Sequence, residues 1–408
     1  MKTFRKKIKK KKERRCANFL ALSYLCKPQH ESCCWVTELF KKRKKMEIFD
    51  LHSYFDSYES EALSVFVPTE NCVGKGLVNE EYDVAIIGVP SAENEEASIK
   101  KINEVRRNLY QLSNRFHKIK LCDLGNLKSG ALSRPQILSD VIAQLVGNGV
   151  VPILLSGSDH LMDASDALSE FASRQAVSII DSRLGLKKAN GEMSVRGELL
   201  NAGGISAVNL LGYQNYYSTE EEEQMVSSKD FDFKRLRDLV GKVWMVEPYL
   251  RDSHLIQINM TAVKYSEAPL NTVLPNGLTG VELCQIGHYA GLSDSALCYE
   301  LSGLDELPGQ SELAAALAAQ LVWHIIEGIE NRYGDYPLRS IEDYQQYAVL
   351  PKVEGDEKVI FYNNRANGRW WIEIPTREGR VIYSCTQKDY LDFCGNQIPD
   401  IWMKYYMR

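Results

Sequence analysis

The sequence predicts an α/β protein: a three-layer α/β/α domain around a mostly parallel sheet, followed by a C-terminal extension that contains β-structure. Three observations carry that prediction. Short apolar runs recur from residue 83, helix-favouring stretches separate them, and beyond about Arg332 the alternation stops and aromatic residues crowd the chain. Strands that alternate with helices are joined by crossovers. Neighbouring strands are then parallel, and helices cover both faces of the sheet.

The first run, Asp83-Val84-Ala85-Ile86-Ile87-Gly88-Val89, is apolar without alternation, as a strand buried on both faces must be. A polar, helix-favouring stretch follows from Asn94 to Leu112. Next come the strand Ile119-Lys120-Leu121-Cys122-Asp123, a helix from Ser133 to about Leu145, and the strand Val150-Val151-Pro152-Ile153-Leu154-Leu155. A helix near Asp163–Ser173 precedes the strand Ala176-Val177-Ser178-Ile179-Ile180-Asp181, and Ala207-Val208-Asn209-Leu210-Leu211 is the next strand. Leu255-Ile256-Gln257-Ile258-Asn259 and Ala296-Leu297-Cys298-Tyr299-Glu300 complete the strands, and an amphipathic helix from Gln310 to about Glu330 ends the series. In such sheets the chemistry collects at the carboxyl ends of the strands. Three ends therefore hold the candidate site: Ser156–His160, Asp181–Gly185 and Asn259–Thr261.

In the extension, Glu357–Asn363 and Arg369–Ile374 are β-rich and separated by Asn364-Arg365-Ala366-Asn367-Gly368, which predicts a hairpin. Trp370 and Trp371 fall on opposite faces of one strand, so one is expected in a core and the other exposed at an interface. Cladding of the main domain is the competing expectation. The predicted organisation is a basic leader over 1–45, an α/β domain over 46–335 and an aromatic-rich extension over 336–408.

Charge separates the leader from the rest. Residues 1–45 hold 16 Lys and Arg against 3 Asp and Glu, while the whole chain carries a net charge of −5. The leader lacks hydrophobic periodicity, and Met46 offers a second start. It is expected to be a disordered tail or an over-extended start, and it predicts no nucleic-acid partner even though basic runs attract phosphate. The six cysteines beyond it, Cys72, Cys122, Cys284, Cys298, Cys385 and Cys394, form no CxxC pair. Scattered thiols fit a reducing compartment. No run reaches the ~18 uninterrupted apolar residues of a membrane span, so a soluble, cytoplasmic protein without a membrane partner is expected.

The three strand ends resemble motifs of the ureohydrolase superfamily: arginase, agmatinase and formimidoylglutamase. The family's Gly-Gly-Asp-His appears as Gly157-Ser158-Asp159-His160, its Asp-Ala-His-x-Asp as Asp181-Ser182-Arg183-Leu184-Gly185, and its Ser-x-Asp-x-Asp as Gln257-Ile258-Asn259-Met260-Thr261. Ala268-Pro269 and Pro275-Asn276-Gly277-Leu278-Thr279-Gly280-Val281-Glu282 look like the loop before the family's next helix. The resemblance spans about residues 80–332. It implies an arginase-like fold, two Mn²⁺ ions sharing a hydroxide, hydrolysis of a linear amidine, and a homo-oligomer.

Carried over residue by residue, the resemblance implies a degenerate metal site. His160 and Asp181 stand at ligand positions, whereas Arg183, Gly185, Asn259 and Thr261 replace the other four ligands. Four carboxylates would offset two divalent ions, and hard Mn²⁺ favours such oxygen ligands. One remains here, and the guanidinium of Arg183 does not deprotonate. The expectation is therefore no metal cofactor, with dinuclear manganese only if hydrolase activity survives. His160 and Asp181 with Asp159 or Asp163 could still hold a single metal, or simply hydrogen-bond in a polar core. Asp181 and Arg183 lie two apart on what reads as an extended segment, which points both to one side. Arg183 is accordingly expected to fill the metal's place against Asp159 or Asp181, with a swing out to solvent as the competing reading. Glu300 is a further pocket candidate through its resemblance to the family's substrate-binding acid, and Glu282 is read as a first-turn helix carboxylate. The expected function is a pseudoenzyme that binds an unidentified small molecule or protein. The alternative is a formimidoylglutamase- or agmatinase-like amidinohydrolase with an altered metal site.

Overall fold

The computed structural model describes residues 55–56, 82–128, 136–229, 231–308, 312–350, 358–377 and 379–406. Residues 1–45, Met46 and Cys72 lie outside them. The described elements are β1 (Phe55–Asp56), β2 (Val84–Val89), α1 (Glu95–Leu109), β3 (Leu121–Leu127), α2 (Ile137–Gly147), β4 (Val151–Ser156) and α3 (Leu161–Leu168). They continue with β5 (Gln175–Ile180), α4 (Val195–Asn201), β6 (Ile205–Tyr213), α5 (Glu220–Ser228), β7 (Asp232–Arg235), α6 (Leu236–Leu239), α7 (Glu247–Arg251) and β8 (Leu255–Asn259). The last are α8 (Gly280–Gly291), β9 (Cys298–Ser302), α9 (Glu312–Glu330), β10 (Gln345–Val349), β11 (Val359–Asn364), β12 (Arg369–Thr376), β13 (Gly379–Cys385), α10 (Gln387–Cys394) and α11 (Asp400–Tyr405).

Strands β2 to β9 form a parallel sheet in the order β3-β2-β4-β9-β8-β5-β6-β7, and β1 adds an antiparallel edge beside β3. The apolar runs follow from burial on both faces. Val84 and Ile86 enter one hydrophobic layer with Ile102 of α1, Leu283 of α8 and Leu321 of α9. Ala85, Ile87 and Val89 enter the opposite layer with Ile142 of α2, Leu168 of α3 and Leu199 of α4. Each fully buried Leu or Ile contributes about 1.5–3 kcal/mol by leaving water, so a polar residue inside any of these runs would cost stability on either face. Helix α9 is long and apolar enough to cross a membrane by length and composition, and most of its residues are buried between α1 and α8.

Boundaries shift modestly from the sequence reading. The helix expected near 163–173 occupies 161–168, and the strand expected over 119–123 runs over 121–127. Strand β7 had no signal in the sequence: Asp232-Phe233-Lys234-Arg235 is a half-exposed edge strand, and a charged edge lacks the apolar run of a central one. Glu282 behaves as read, as the third residue of α8 in a capping box with Thr279. The cysteine expectation also has structural content: Cys122, Cys284, Cys298 and Cys385 are buried, and Cys394 is exposed.

The expected hairpin belongs to a second, antiparallel sheet in the order β10-β11-β12-β13, with β11 and β12 paired across Arg365–Gly368. Trp370 and Trp371 do point to opposite faces, but neither is exposed, at 7% and 1% of their surface. Trp370 stacks on Tyr390 of α10 within the sheet's own cluster. Trp371 stacks on Tyr344 and lies under Arg251 of α7, whose guanidinium carbon is 4.6 Å from the ring. A single strand's pattern could not show that its second face would be covered by α7. Buried charges fasten this seam: Arg251 pairs with Glu247, Arg369 Nε lies 3.0 Å from Glu247 Oε1, and Arg251 donates to the Trp370 carbonyl at 3.0 Å.

Candidate functional site at the carboxyl ends of the central strands

Strands β4, β9, β8 and β5 are consecutive neighbours at the centre of the sheet, and their carboxyl ends gather one polar cluster. After β4 the chain turns through Gly157-Ser158-Asp159 to His160, the residue that precedes α3. After β5 comes Asp181. Strand β8 ends on Asn259, whose side chain accepts from the Thr261 amide at 2.9 Å, and β9 contributes Glu300.

A residue from none of these ends occupies the middle. Beyond Asp181 the chain does not stay extended. It turns through Gly185 in the left-handed region at φ +65°, forms an antiparallel bridge between Lys187 and Met193, and returns at Ser194. The Ser194 hydroxyl ties the return by donating to the Gly185 carbonyl at 2.6 Å, and its oxygen caps α4 by accepting from Gly197 N–H. The second residue of α4 is Arg196, 3% exposed. Its Nη1 lies 2.6 Å from Asp181 Oδ2, its Nε lies 3.0 Å from Asp159 Oδ2, and its Nη2 donates to Gln257 Oε1 at 3.1 Å. Burial opposes the Arg196 charge, but the fields of Asp181 and Asp159 outweigh it and raise the pKa above its ordinary value. It is a fixed cation. Gly185 leaves room for it, since a Cβ there would meet Arg196 Nη1 at 3.2 Å.

The remaining contacts form a connected network. The Gln257 amide donates to Asp159 Oδ1 at 3.0 Å and to Glu300 Oε2 at 2.9 Å, and His160 N–H donates to Glu300 Oε1 at 2.9 Å. The Thr261 hydroxyl donates to Asp181 Oδ1 at 2.6 Å. His160 Nδ1 is 3.2 Å from Asp163 Oδ2, with Ser158 Oγ 3.3 Å from Nε2. Burial would lower the His160 pKa, yet the Asp163 hydrogen bond and the charges of Glu300, Asp163 and Asp159 raise it. Burial first, and Asp159 after it, push the Glu300 carboxyl up to about 7, against the opposing pull of His160 and Gln257. Two basic groups, Arg196 and His160, and four acidic ones, Asp159, Asp163, Asp181 and Glu300, thus belong to one cluster.

No protein-family model matches the sequence, and no curated protein matches it significantly. Solved structures do match in shape. A formiminoglutamase from Trypanosoma cruzi, with Mn2+2, superposes at a TM-score of 0.55 with 18% identity over 62% of this chain and 96% of its own. An arginase superfamily protein from the same organism gives 0.55 with 18% identity over 62% and 96%. The formimidoylglutamase from Bacillus subtilis subsp. subtilis str. 168 gives 0.54 with 15% identity over 73% and 99%. The fold is that of the arginase superfamily.

Within this arginase-superfamily fold, the structure places His160, Asp159, Asp181, Asn259, Thr261 and Glu300 near one another at the strand ends, with Asp163 on α3 beside His160. Arg183 does not join them. It is exposed, with its guanidinium carbon 5.6 Å from the Tyr217 ring centroid, so the expectation that it pairs with Asp159 or Asp181 is corrected: Arg196 makes both pairs. The two-residue spacing rule holds for extended backbone, and the backbone after Asp181 is a turn. Sequence reasoning missed Arg196 and the linking role of Gln257. The available signal was a lone Arg beside Gly197 at the start of a short apolar helix, Val195-Arg196-Gly197-Glu198-Leu199-Leu200, directly after a Ser cap.

Proposed function

We propose that this chain is a pseudoenzyme on the arginase-superfamily fold, a binding or scaffolding protein without dimanganese hydrolysis. One observation carries the reading: the buried Arg196 guanidinium bridges Asp159 and Asp181. By the superfamily resemblance, Asp181 and His160 are the ligand positions still occupied by ligating residues. Two Mn²⁺ ions would bring four positive charges beside a fixed cation, with one ligand carboxylate to offset them. Unlike charges attract and like charges repel by several kcal/mol at such distances, and hard cations need oxygen ligands that Gly185 cannot supply. The residues present therefore do not fit a dimetal centre, and Arg196 does for the two acids what the ions would do. Gly185 and Arg196 fit as a pair, one losing a side chain where the other needs space.

The second reading, a linear-amidine hydrolase with an altered site, draws support from Glu300. A carboxyl with its pKa at about 7 beside His160 has the tuning of an acid–base group. Both readings are tested together by incubating the full chain with Mn²⁺, measuring bound metal by elemental analysis, and assaying arginine, agmatine and formimidoylglutamate. The expected result is no stoichiometric manganese at the strand ends and no turnover. Turnover without manganese would favour the second reading, and close to two manganese ions per chain with turnover would overturn the first.

A further inference from the structure

Helices α8 and α9 approach so closely that their backbones touch. A Cβ on Gly291 would lie 2.1 Å from the Ile325 carbonyl oxygen, and one on Gly328 would lie 2.4 Å from the His288 carbonyl oxygen. Contacts this short admit only glycine, and they lock the two helices at one spacing. Beside these glycines stand three groups that the strand-end site does not use: His288 on α8, next to Gly287, and His324 and Glu327 on α9, one turn apart and next to Gly328. Glu327 Oε2 lies 3.1 Å from His288 Nδ1 and 3.3 Å from His324 Nδ1, and one ligand atom from each of the three residues lies within 4.8 Å of the other two. His288 Nδ1 is itself buried and makes no hydrogen bond, so the contact with Glu327 leaves its ring nitrogen unsatisfied.

We propose that His288, His324 and Glu327 form a binding site for one divalent transition metal of the zinc class, bridging α8 and α9. The ligand set is two imidazoles and one carboxylate, the three-ligand complement of an open zinc site. Bonds of about 2.0–2.2 Å in a tetrahedron separate ligand atoms by roughly 3.4 Å, close to the 3.1 and 3.3 Å between Glu327 and the two histidines. Small rotamer changes therefore suffice for an ion to enter. Each side chain is about one third exposed, at 32%, 35% and 33%, which gives a path from solvent and leaves the fourth position to water. Imidazole ligands suit Zn²⁺, Cu²⁺ and Ni²⁺ better than Mn²⁺. The glycine contacts pre-set the helix spacing, and the metal would clamp it further.

The test uses the full chain stripped with a chelator and titrated with ZnCl₂ by calorimetry, beside a His288→Ala/His324→Ala variant. One zinc equivalent per chain present in the native protein and absent from the variant is expected, with at least tenfold weaker zinc binding in each single variant. Zinc should also raise the melting temperature of the native protein and not that of the double variant, while both melt together without metal. Co²⁺ should give visible absorption bands in the native protein alone. Equal zinc stoichiometry in the native protein and the double variant, or no binding in either, would overturn the site and leave a plain histidine–glutamate ion pair. Manganese bound at the strand ends would be unaffected by these substitutions, so this proposal and the pseudoenzyme reading can fail separately.

Discussion

Replacing Arg196 with Met removes the charge that bridges Asp159 and Asp181 while keeping most of the side-chain volume. The magnitude follows from burial. Arg196 is 4% and Asp181 7% exposed at the side chain, so Asp181 would be left as a dehydrated anion with a hydroxyl, Thr261, as its main remaining donor. Asp159, at 28%, retains access to water and the Gln257 amide. Breaking a buried ion pair by removing one partner costs about 3–5 kcal/mol; the Asp181 half carries most of it. Urea unfolding followed by circular dichroism measures this. Arg196→Met/Asp181→Asn should regain a large part of the lost stability, because an amide needs no counter-charge. A variant as stable as the native protein, or a double variant losing the sum of two independent costs, would refute the claim that Arg196 holds the acids in place of metal.

Two further outcomes are expected. Glu300 has its folded pKa raised to about 7, so the folded chain binds a proton that the unfolded chain releases near pH 4.5; stability from this group is full below that value and is lost as pH rises through 7. Glu300→Gln should remove that slope, on the order of a few kcal/mol between pH 4.5 and 7.5, and an unchanged pH profile of stability would contradict it. Trp370→Ala and Trp371→Ala should each cost about 3–5 kcal/mol because both rings are buried, and thermal unfolding that spares either one would mean that its face of β12 is open.

Much of the architecture is legible in the residues because burial on both faces of a parallel sheet demands continuous apolar runs, and such runs are local. That constraint locates β2, β4, β5, β8 and β9 before any coordinates, and with them the strand ends that carry His160, Asp181, Asn259, Thr261 and Glu300. Elements under weaker burial demands left weaker marks, as with the charged edge strand β7 and the outer strands β10 and β13. What the tertiary structure alone decided is which guanidinium stands among the acids. Arg183 is two residues from Asp181 and Arg196 is fifteen, yet the turn at Gly185 sends the nearer one to solvent, and the Lys187–Met193 bridge and Ser194 cap bring the farther one back. Side-chain direction over two residues depends on backbone dihedrals that a hydrophobicity pattern does not contain, and contact over fifteen depends on loop closure. The same holds for Trp371 under Arg251 and for His288 facing Glu327: each helix or strand is readable by itself, but which faces meet is set by packing between segments distant in the chain.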